Sequence, residues 1–466
     1  MPHGGRGVAG LAGLRKRGDV KMLFRSVLLS LYSGLMRLAQ PLLRRKMAQR
    51  AVREPGYGEA VNERFGRYAQ AQQTPNELVW LHAVSLGETR TAAVLLQSLR
   101  AQHPGLRVLL THGTATGREA GRALLRPGDI QVWQPWDTRE VVARFFNHFK
   151  PCLGLLMETE VWPCLVAAAA RRGMPLVLVN GRLSDKSLRQ ALRIAPLAYP
   201  AYGSLTAVYA QTADDAQRYR QLGVEVAGVF GNLKFDAAPS SSQQLMGRAW
   251  RASGGPVVMF ASSREGEEAA FLQSIQAIAK VNRSRPATDS IAVRYLIVPR
   301  HPQRFEAVAA LIGQHGLTLS RRSSWAGSPF NDHSAMQADI WLGDTLGEMP
   351  LYYALSSVAL LGGSFEKLGG QNLIEAAACG CPVVMGAHTF NFAEAAELAE
   401  AAGAAHRTVY MQDAVLWAVQ LAQDAAAQKL MAQVALDFAS AHQGAAERTV
   451  QALATYLPKL PINEGH

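Results

Sequence analysis

The sequence predicts an α/β protein made of two consecutive doubly wound domains, each with a parallel sheet. Short apolar segments typical of strands alternate with longer helical patterns from residue 78 to residue 409. A polar, loop-like segment at 236–243 divides this alternation into two series and indicates an interdomain linker. The chain has 466 residues, of which 48% are hydrophobic, so it can form two cores of ordinary size.

The first series begins after a turn at Thr74, Pro75 and Asn76. Its predicted strands are residues 78–83, 108–111, 130–133, 152–157, 176–180, 206–210 and 226–230. The strands predicted in the second series are residues 257–261, 295–299, 340–342, 357–361, 382–385 and 405–409. Helical patterns occupy the intervals and the C-terminal part of the chain.

The N-terminal 53 residues carry most of the net charge of the chain. They contain 12 Lys and Arg but a single acid, Asp19, and so contribute +11 of the formal net charge of +12. Their apolar run, SVLLSLYSGLM and the residues up to Leu43, is shorter than the roughly 20 residues of a membrane-spanning helix. A cleaved signal peptide is one alternative. The flanking basic residues favour a shallow anchor on anionic lipid, on the cytoplasmic face of a membrane.

The rest of the chain is nearly neutral, which argues against a nucleic-acid enzyme because such proteins carry basic surface on the folded body. The four cysteines form no CxxC pair and no Cys/His ligand set, and we expect reduced thiols. The sequence also lacks a D-x-D pair, a Walker A motif and an HExxH motif, so we expect no metal cofactor.

The segment 360–386, LLGGSFEKLGGQNLIEAAACGCPVVMG, has the pattern strand, glycine-rich loop, short helix, strand. Asn372 opens the helix, Glu375 lies on its first turn, and Gly380 ends it. In a parallel sheet this pattern builds phosphate or sugar-nucleotide pockets. The alternative is that Asn372 and Glu375 only cap their helix.

Three groups of acids and bases follow predicted strands of the first series. Glu88, in LHAVSLGETR, could act as a general base toward a hydroxyl, or could be a first-turn acid favoured by the helix dipole. Glu158 and Glu160 leave a buried strand together and lie on one face of an extended segment. Lys234, in GNLKFD, lies at the domain junction.

In the second series, Arg300, His301 and Arg304 directly follow a strand, and the planar fork of Arg suits phosphate. Gly347 and Glu348 precede a helix, where backbone N–H groups and a carboxylate could meet a nucleotide.

Taken together, these motifs resemble the 3-deoxy-D-manno-octulosonic acid (Kdo) transferases of lipid A assembly. The resemblance covers residues 22–440 and rests on LHAVSLGE, THGTATG, METEVWP, NGRLSDKS, GNLKFD, SSREGEE, VPRHPQRF, GDTLGEMPLYY, GGSFEKLGGQNLIEAA and GAHTFNF. It implies two Rossmann-like domains in a glycosyltransferase B-type fold. It also implies an inverting, metal-independent transfer of Kdo from CMP-Kdo to the lipid A precursor lipid IVA, at the cytoplasmic face of the inner membrane.

The resemblance implies a role for each matching residue. Glu88 would be the catalytic base, and Glu158 and Lys234 would support the transition state. The segments that would hold CMP are Pro299 and Arg300, then Gly347, Glu348 and Met349, and finally Asn372, Leu373, Ile374 and Glu375. Gln371 departs from the family, which usually has His at this position.

The expected domains are a basic extension at 1–20, an anchor helix at 21–50, an acceptor-binding domain at 51–237, a CMP-Kdo-binding domain at 238–440, and a C-terminal helix and tail at 441–466. Two alternatives to the Kdo transferase remain. One is a transferase or epimerase of the same fold that acts on another nucleotide sugar. The other is a non-catalytic, nucleotide-binding peripheral membrane protein.

Overall fold

The computed structural model describes residues 24–75, 77–283 and 292–458. The chain divides into two compact units. Unit 1 contains the described residues up to Asp236 and those from Gly444 onward, and unit 2 is Ala237–Gln443. The basic extension expected at 1–20 lies outside the described residues, as do the first three residues of the expected anchor helix.

Unit 1 is built on a seven-stranded parallel sheet in the order β3-β2-β1-β4-β5-β6-β7. The strands are β1 Leu78–His82, β2 Arg107–His112, β3 Ile130–Trp133, β4 Leu153–Met157, β5 Leu176–Gly181, β6 Ala207–Ala210 and β7 Gly228–Val229. The strand order reverses between β1 and β4. In open α/β sheets such a reversal leaves a crevice at the carboxyl ends of the two strands, where ligands bind.

Two helices of unit 1 precede its first strand, and others connect its strands. One more helix of unit 1 follows unit 2 in sequence. These helices are α1 at 24–38, α2 Gln40–Arg53, α3 Leu86–Gln102, α4 Ala115–Arg122, α5 Arg139–Phe149, α6 Pro163–Arg171, α7 Asp185–Arg193, α8 Ala195–Tyr202, α9 Ala213–Gln221 and, after unit 2, α19 Ala445–Leu453. No helix among the described residues is both long enough and apolar enough to cross a membrane.

Unit 2 contains a second seven-stranded parallel sheet in the order β10-β11-β9-β8-β12-β13-β14. The strands are β8 Val257–Ser263, β9 Arg294–Pro299, β10 Leu319–Arg321, β11 Ile340–Leu342, β12 Val358–Leu361, β13 Val383–Met385 and β14 Ala405–Arg407. The helices are α10 Ser241–Ala252, α11 Glu267–Arg283, α12 Phe305–Gln314, α13 His333–Gln337, α14 Met349–Leu355, α15 Ile374–Ala378, α16 Ala393–Ala401, α17 Met411–Gln423 and α18 Ala425–Ala441. The order of this sheet reverses between β8 and β12.

The predicted fold class, α/β with two doubly wound parallel sheets, is confirmed. The sequence analysis missed one strand, β10, which has three residues and lies at the edge of its sheet. Its letters, LSR, form no apolar run, because an edge strand has one neighbour and is only partly buried. All four cysteines are free thiols.

Candidate functional site

Glu88 lies at the carboxyl end of β1, on the first turn of α3. Ser85 caps α3, and its hydroxyl donates to Glu88 Oε1 at 2.9 Å. The Val84 N–H donates to Glu88 Oε2 at 2.9 Å. Glu88 is therefore an acid on the first turn of its helix, as the alternative expected, and its carboxylate is also fixed in one orientation at the reversal point of the sheet.

Burial, together with the negative charges of Glu160 and Glu158, raises the pKa of Glu88 to about 7 despite the hydrogen bonds from Val84 and Ser85, which lower it. A carboxyl group with this pKa exchanges a proton readily near neutral pH, which suits a general base. The position of Glu88 on the first turn of α3 does not explain its raised pKa, because a helix N-terminus stabilises the carboxylate anion and so lowers the pKa.

Glu158 follows β4, the strand next to β1, and it forms an ion pair with Lys234: the distance from Nζ to Oε1 is 3.3 Å. Its backbone has φ +56°, a strained value for a residue with a side chain. The Tyr219 hydroxyl and the Arg182 N–H both donate to the Glu158 carbonyl, at 3.1 and 3.3 Å, and hold this conformation. The structure thus brings together the three predicted residues Glu88, Glu158 and Lys234 in unit 1.

Asn180 positions the segment that carries Lys234, and the sequence analysis assigned it no role. It is 2% exposed and has φ +54°, and its Oδ1 accepts from the Leu233 N–H at 3.0 Å. Asn232 Oδ1 in turn accepts from the Lys234 N–H at 3.0 Å. The sequence feature that could have indicated the role of Asn180 is its position at the end of an apolar strand, in the motif NGRLSDKS.

In unit 2, Pro299 and Arg300 lie at the carboxyl end of β9. Pro299 is buried and pairs with Ser263 of β8, and the Arg300 N–H donates to the Ser263 carbonyl at 3.0 Å. The side chain of Arg300 is therefore the part of this pair that can approach an anion. Burial, together with the charges of Arg264 and Arg300, lowers the pKa of the adjacent His301.

Glu348 precedes α14, and other side chains hold its carboxylate in place. Oε1 accepts from Arg322 Nη2 at 2.9 Å, and Oε2 accepts from the hydroxyls of Thr345 and Tyr352. Gly347 has φ +78°, which favours glycine. With its carboxylate held in this way, Glu348 shapes the turn that presents Gly347 and Met349.

Asn372 and Glu375 flank the start of α15, a helix of five residues. Asn372 Oδ1 accepts from the Ile374 N–H at 3.1 Å, so this side chain has a capping role. Leu373 and Ile374 are each 1% exposed and belong to the buried interior of unit 2. Glu375 is half-buried.

Tyr353 of α14 is buried, and the charges of Arg300 and Glu375 both act on it. Burial raises its pKa well above the usual value, the Glu375 carboxylate raises it further, and the charge of Arg300 lowers it. Arg300, α14 and Glu375 are therefore electrostatic neighbours.

Glu267 organises the glycine-rich loop after β12, and the sequence analysis assigned it no role. It is 1% exposed, and its carboxylate accepts from the N–H groups of Gly363 at 2.7 Å, Arg264 at 3.1 Å, Phe365 at 3.1 Å and Glu366 at 3.3 Å. These N–H groups are therefore already bonded to a protein carboxylate, which defines the loop without a bound phosphate. The sequence feature that could have indicated this role is an acid four residues after the end of β8, three residues beyond Arg264, whose N–H it binds. Ser85 and Glu88 have the same spacing of three residues.

Within residues 24–75, 77–283 and 292–458, no cluster of three or more His, Cys, Asp and Glu side chains has the geometry of a metal site. Unit 1 offers a base of raised pKa with an adjacent ion pair, and such a base can deprotonate a hydroxyl. Unit 2, by itself, offers an arginine at the end of a strand, and an arginine can bind an anion.

A family model described as 3-deoxy-D-manno-octulosonic-acid transferase (kdotransferase) matches residues 59–237. A 3-deoxy-D-manno-octulosonic acid transferase of Bordetella pertussis is 45% identical over 434 residues, which cover 91% of this chain and 99% of the relative. The enzyme of the same name from Haemophilus influenzae is 31% identical over 371 residues, covering 78% of this chain and 83% of the relative.

Among solved structures, the UDP-GlcNAc 2-epimerase of Neisseria meningitidis, bound to UDP-GlcNAc, superposes with a TM-score of 0.53 and 16% identity. The superposition covers 81% of this chain and all of the epimerase, and it shows a common fold. The identity and coverage of the B. pertussis relative place the chain in a family of glycosyltransferases: it belongs to the 3-deoxy-D-manno-octulosonic acid (Kdo) transferases.

Proposed function

We propose that this enzyme transfers Kdo from CMP-Kdo to lipid IVA by an inverting mechanism without a metal ion, with Glu88 as the general base. The observation that carries the proposal is the environment of Glu88. Its carboxylate is fixed at the strand-order reversal of unit 1, and burial raises its pKa to about 7.

In the proposed reaction, Glu88 takes the proton of an acceptor hydroxyl as that oxygen bonds to the anomeric carbon of Kdo. The bond from this carbon to the CMP phosphate breaks, and CMP leaves with the electron pair. A single displacement of this kind inverts the anomeric configuration. Deprotonation by a positioned side chain typically contributes about 10² to 10⁴ in rate.

Within unit 1 we assign Lys234 to negative charge that develops in the reaction, and within unit 2 we assign Arg300 to the phosphate of CMP. The ion pair with Glu158 holds Lys234 in position, and the strained backbone of Glu158 fits a residue that is kept for function. Fixed cations in a water-poor site stabilise such charge without reorganisation, and we propose that they replace a metal ion. A chelator should then leave the transfer rate unchanged.

We assign CMP to unit 2, on Pro299 and Arg300, on Gly347 to Met349 and on Asn372 to Glu375. The convergence of Arg300 and Glu375 around Tyr353 supports a common binding site for these segments. The guanidinium would bind the phosphate and the Glu375 carboxylate would accept from ribose hydroxyls, since each pairing matches a donor with an acceptor.

We also propose that α1 and α2 attach the enzyme to the cytoplasmic face of the inner membrane, where its lipid acceptor lies. Six apolar side chains along one face of these helices are 50–78% exposed: Phe24, Val27, Leu31, Leu35, Leu38 and Leu42. Their spacing of three and four residues forms one stripe, and Arg25, Arg37, Arg44, Arg45 and Lys46 accompany it. Such helices lie in the interface of anionic membranes.

The variant Glu88→Gln tests the proposal. Gln keeps the size of the side chain but cannot accept the proton. We expect loss of transfer from CMP-Kdo to lipid IVA by about 10² or more, with CMP binding unchanged. Mass spectrometry of the lipid product and calorimetry with CMP measure the two effects.

Asp215→Asn is the matched control, because Asp215 has the same capping arrangement on α9. It accepts from the Thr212 hydroxyl at 2.7 Å and from the Leu183 N–H at 2.8 Å. This variant should lose stability and keep its transfer rate. Full activity of Glu88→Gln, or stronger competition by UDP than by CMP, would refute the proposal.

A further inference from the structure

Three buried side chains form a hydrogen-bonded chain beneath the segment that carries Glu88. Trp80 Nε1 donates to Thr111 Oγ1 at 2.8 Å, and Thr111 Oγ1 lies 2.7 Å from His82 Nδ1. Trp80, His82 and Thr111 are fully buried. The chain therefore runs across β1 and β2 without access to water.

The way in which the protons of these three hydrogen-bonded side chains are assigned determines which ring nitrogen of His82 is protonated. Burial lowers the pKa of His82 to about 3, so the ring is neutral and has a single N–H. Trp80 Nε1 can only donate, so the Thr111 oxygen accepts that bond and still has its own proton and a second lone pair to share with His82 Nδ1. We assign the Thr111 proton to this contact, and the ring hydrogen therefore to Nε2.

Glu160 is the acceptor toward which His82 Nε2 points. The distance from His82 Nε2 to Glu160 Oε2 is 3.9 Å, and the same oxygen accepts from Trp162 Nε1 at 2.8 Å. His82 Nε2 is buried and has no hydrogen-bond partner among the described residues, because 3.9 Å is too long for a hydrogen bond to Glu160. A buried donor without an acceptor is costly, and an approach of about 1 Å by the Glu160 side chain would form the bond.

Ionisable groups of several elements face this pair. His82 is faced by His112 of β2 as well as by Glu160. Glu160 is faced by Glu158 on its own segment, Glu88 of α3 and Tyr202 of α8. Burial raises the pKa of Glu160, and the charge of Glu158 raises it further. A hydrogen bond donated to a carboxylate favours its charged form. The Trp162 Nε1–H is one such donor to Glu160, and the His82 Nε2–H would be a second.

We propose that His82 is a positioning residue for Glu160: its Nε2–H donates to the Glu160 carboxylate and keeps it anionic beside Glu88. This inference rests on the proposed role of Glu88. An anionic Glu160 repels the negative charge on Glu88 and so increases the affinity of Glu88 for the proton of the acceptor hydroxyl. His82 thereby acts on the base through Glu160, without contact with substrate.

The variants His82→Asn and His82→Gln separate the two ring nitrogens. Asn retains an acceptor near the Nδ1 position for Thr111 but places nothing toward Glu160, whereas the longer Gln places an amide N–H near the Nε2 position. The measurement is the pH dependence of kcat/KM and kcat for transfer to lipid IVA. His148→Asn, on α5, controls for loss of an imidazole outside the site.

We expect His82→Asn to move the acidic limb of kcat/KM to lower pH by roughly half a unit, because a protonated Glu160 no longer raises the pKa of Glu88. The plateau of kcat should fall about two- to fivefold, since a weaker base removes the proton less readily. His82→Gln should restore the midpoint, and His148→Asn should leave the profile unchanged. Glu160→Gln should show the same shift as His82→Asn, and the double variant should add nothing further.

Equal profiles for His82→Asn and His82→Gln, or additive shifts in the double variant, would overturn the proposal. If His82→Asn does not fold, an unshifted profile of Glu160→Gln overturns it equally. The proposed function is tested separately. Full activity of Glu88→Gln would refute the role of Glu88 as the base. An inactive Glu88→Gln together with an unshifted pH profile of His82→Asn would refute only the role of His82.

Discussion

Two carboxylates that follow strands, Glu88 and Glu267, differ in what their oxygens contact. Glu267 accepts from four backbone N–H groups and fixes a loop of unit 2. Glu88 accepts from one N–H and one hydroxyl and lies near two other carboxylates. Burial raises the pKa of both groups. At Glu267 four hydrogen bonds from backbone N–H groups oppose this rise, whereas at Glu88 the charges of Glu160 and Glu158 add to it. The first arrangement suits a structural acid and the second suits a base.

The raised pKa of Glu88 predicts the pH dependence of the enzyme. Only the ionised carboxylate accepts a proton, so kcat/KM should rise with pH and reach half its plateau at about pH 7. Initial rates between pH 5 and pH 9 measure this midpoint. An acidic limb near the ordinary glutamate pKa of 4.5, or a flat profile, would contradict the assignment.

Glu267→Gln is predicted to weaken CMP binding about tenfold. The substitution replaces one carboxylate oxygen by an amide NH₂ group, which cannot accept from the backbone N–H groups that it faces. The loop that these hydrogen bonds fix is therefore loosened. Calorimetry with CMP and thermal unfolding measure the two effects. The matched control is Asp332→Asn, whose exposed carboxylate accepts from the N–H groups of Ser334 and Ala335 elsewhere in unit 2. Equal CMP affinity of the two variants would contradict a role of Glu267 in the donor site.

At the scale of elements, α1 has two different faces. One face packs on unit 1: Ser33 Oγ accepts from the Arg139 N–H at 2.9 Å, the Met36 carbonyl accepts from Trp136 Nε1 at 2.9 Å, and the Tyr32 hydroxyl bonds to the buried Asp137. The opposite face carries the exposed apolar stripe. The helix is thus fixed to the protein on one side and leaves its apolar side chains available to a lipid surface.

Replacing Leu31, Leu35 and Leu38 together by Gln should reduce binding to vesicles of phosphatidylglycerol and phosphatidylethanolamine by at least about tenfold. The fold should be retained, because these side chains are 66–78% exposed. Sedimentation with vesicles measures the effect. The control is Leu245→Gln with Leu430→Gln, which are 67% and 69% exposed in unit 2. Unchanged sedimentation of the triple variant, or an equal loss in the control, would refute the role of the stripe.

At the scale of the whole chain, unit 1 is completed by residues that follow unit 2 in sequence. The Asp236 carboxylate accepts from the N–H groups of Gly444 and Ala446, both at 2.5 Å. Helix α19 adds buried apolar side chains to the core that contains β1 and β4, among them Val450 and Leu453. The first unit therefore cannot bury its core without the last helix.

A chain that ends at Gln443 should consequently unfold at a clearly lower temperature, because the loss of several buried apolar side chains costs on the order of 5 kcal/mol or more. Calorimetry measures the change. Asp236→Asn should cause a smaller fall, and a chain that ends at Pro458 retains α19 and is the control. An unchanged unfolding temperature of the chain ending at Gln443 would show that α19 is dispensable.

The alternation of apolar strands and helical patterns was sufficient to predict the fold class, because strands buried within a sheet must be apolar whatever their neighbours. It did not predict β10, which lies at the sheet edge and whose three residues include the polar Ser320 and Arg321. Glu88, Glu158, Lys234 and Arg300 could be singled out because each follows a strand. Glu267 and His82 have roles that depend on partners distant in sequence, and the letters around them do not name those partners.

The sequence by itself determined that the chain forms two parallel α/β sheets and which residues lie at the strand ends. These properties follow from local periodicity and from the direction of each strand. Only the tertiary structure decided that β1 adjoins β4, that Glu88 is buried near Glu158 and Glu160, and that Lys234 pairs with Glu158. Burial and charge proximity set the pKa of a carboxyl group, and both depend on residues that the fold brings together from distant parts of the chain.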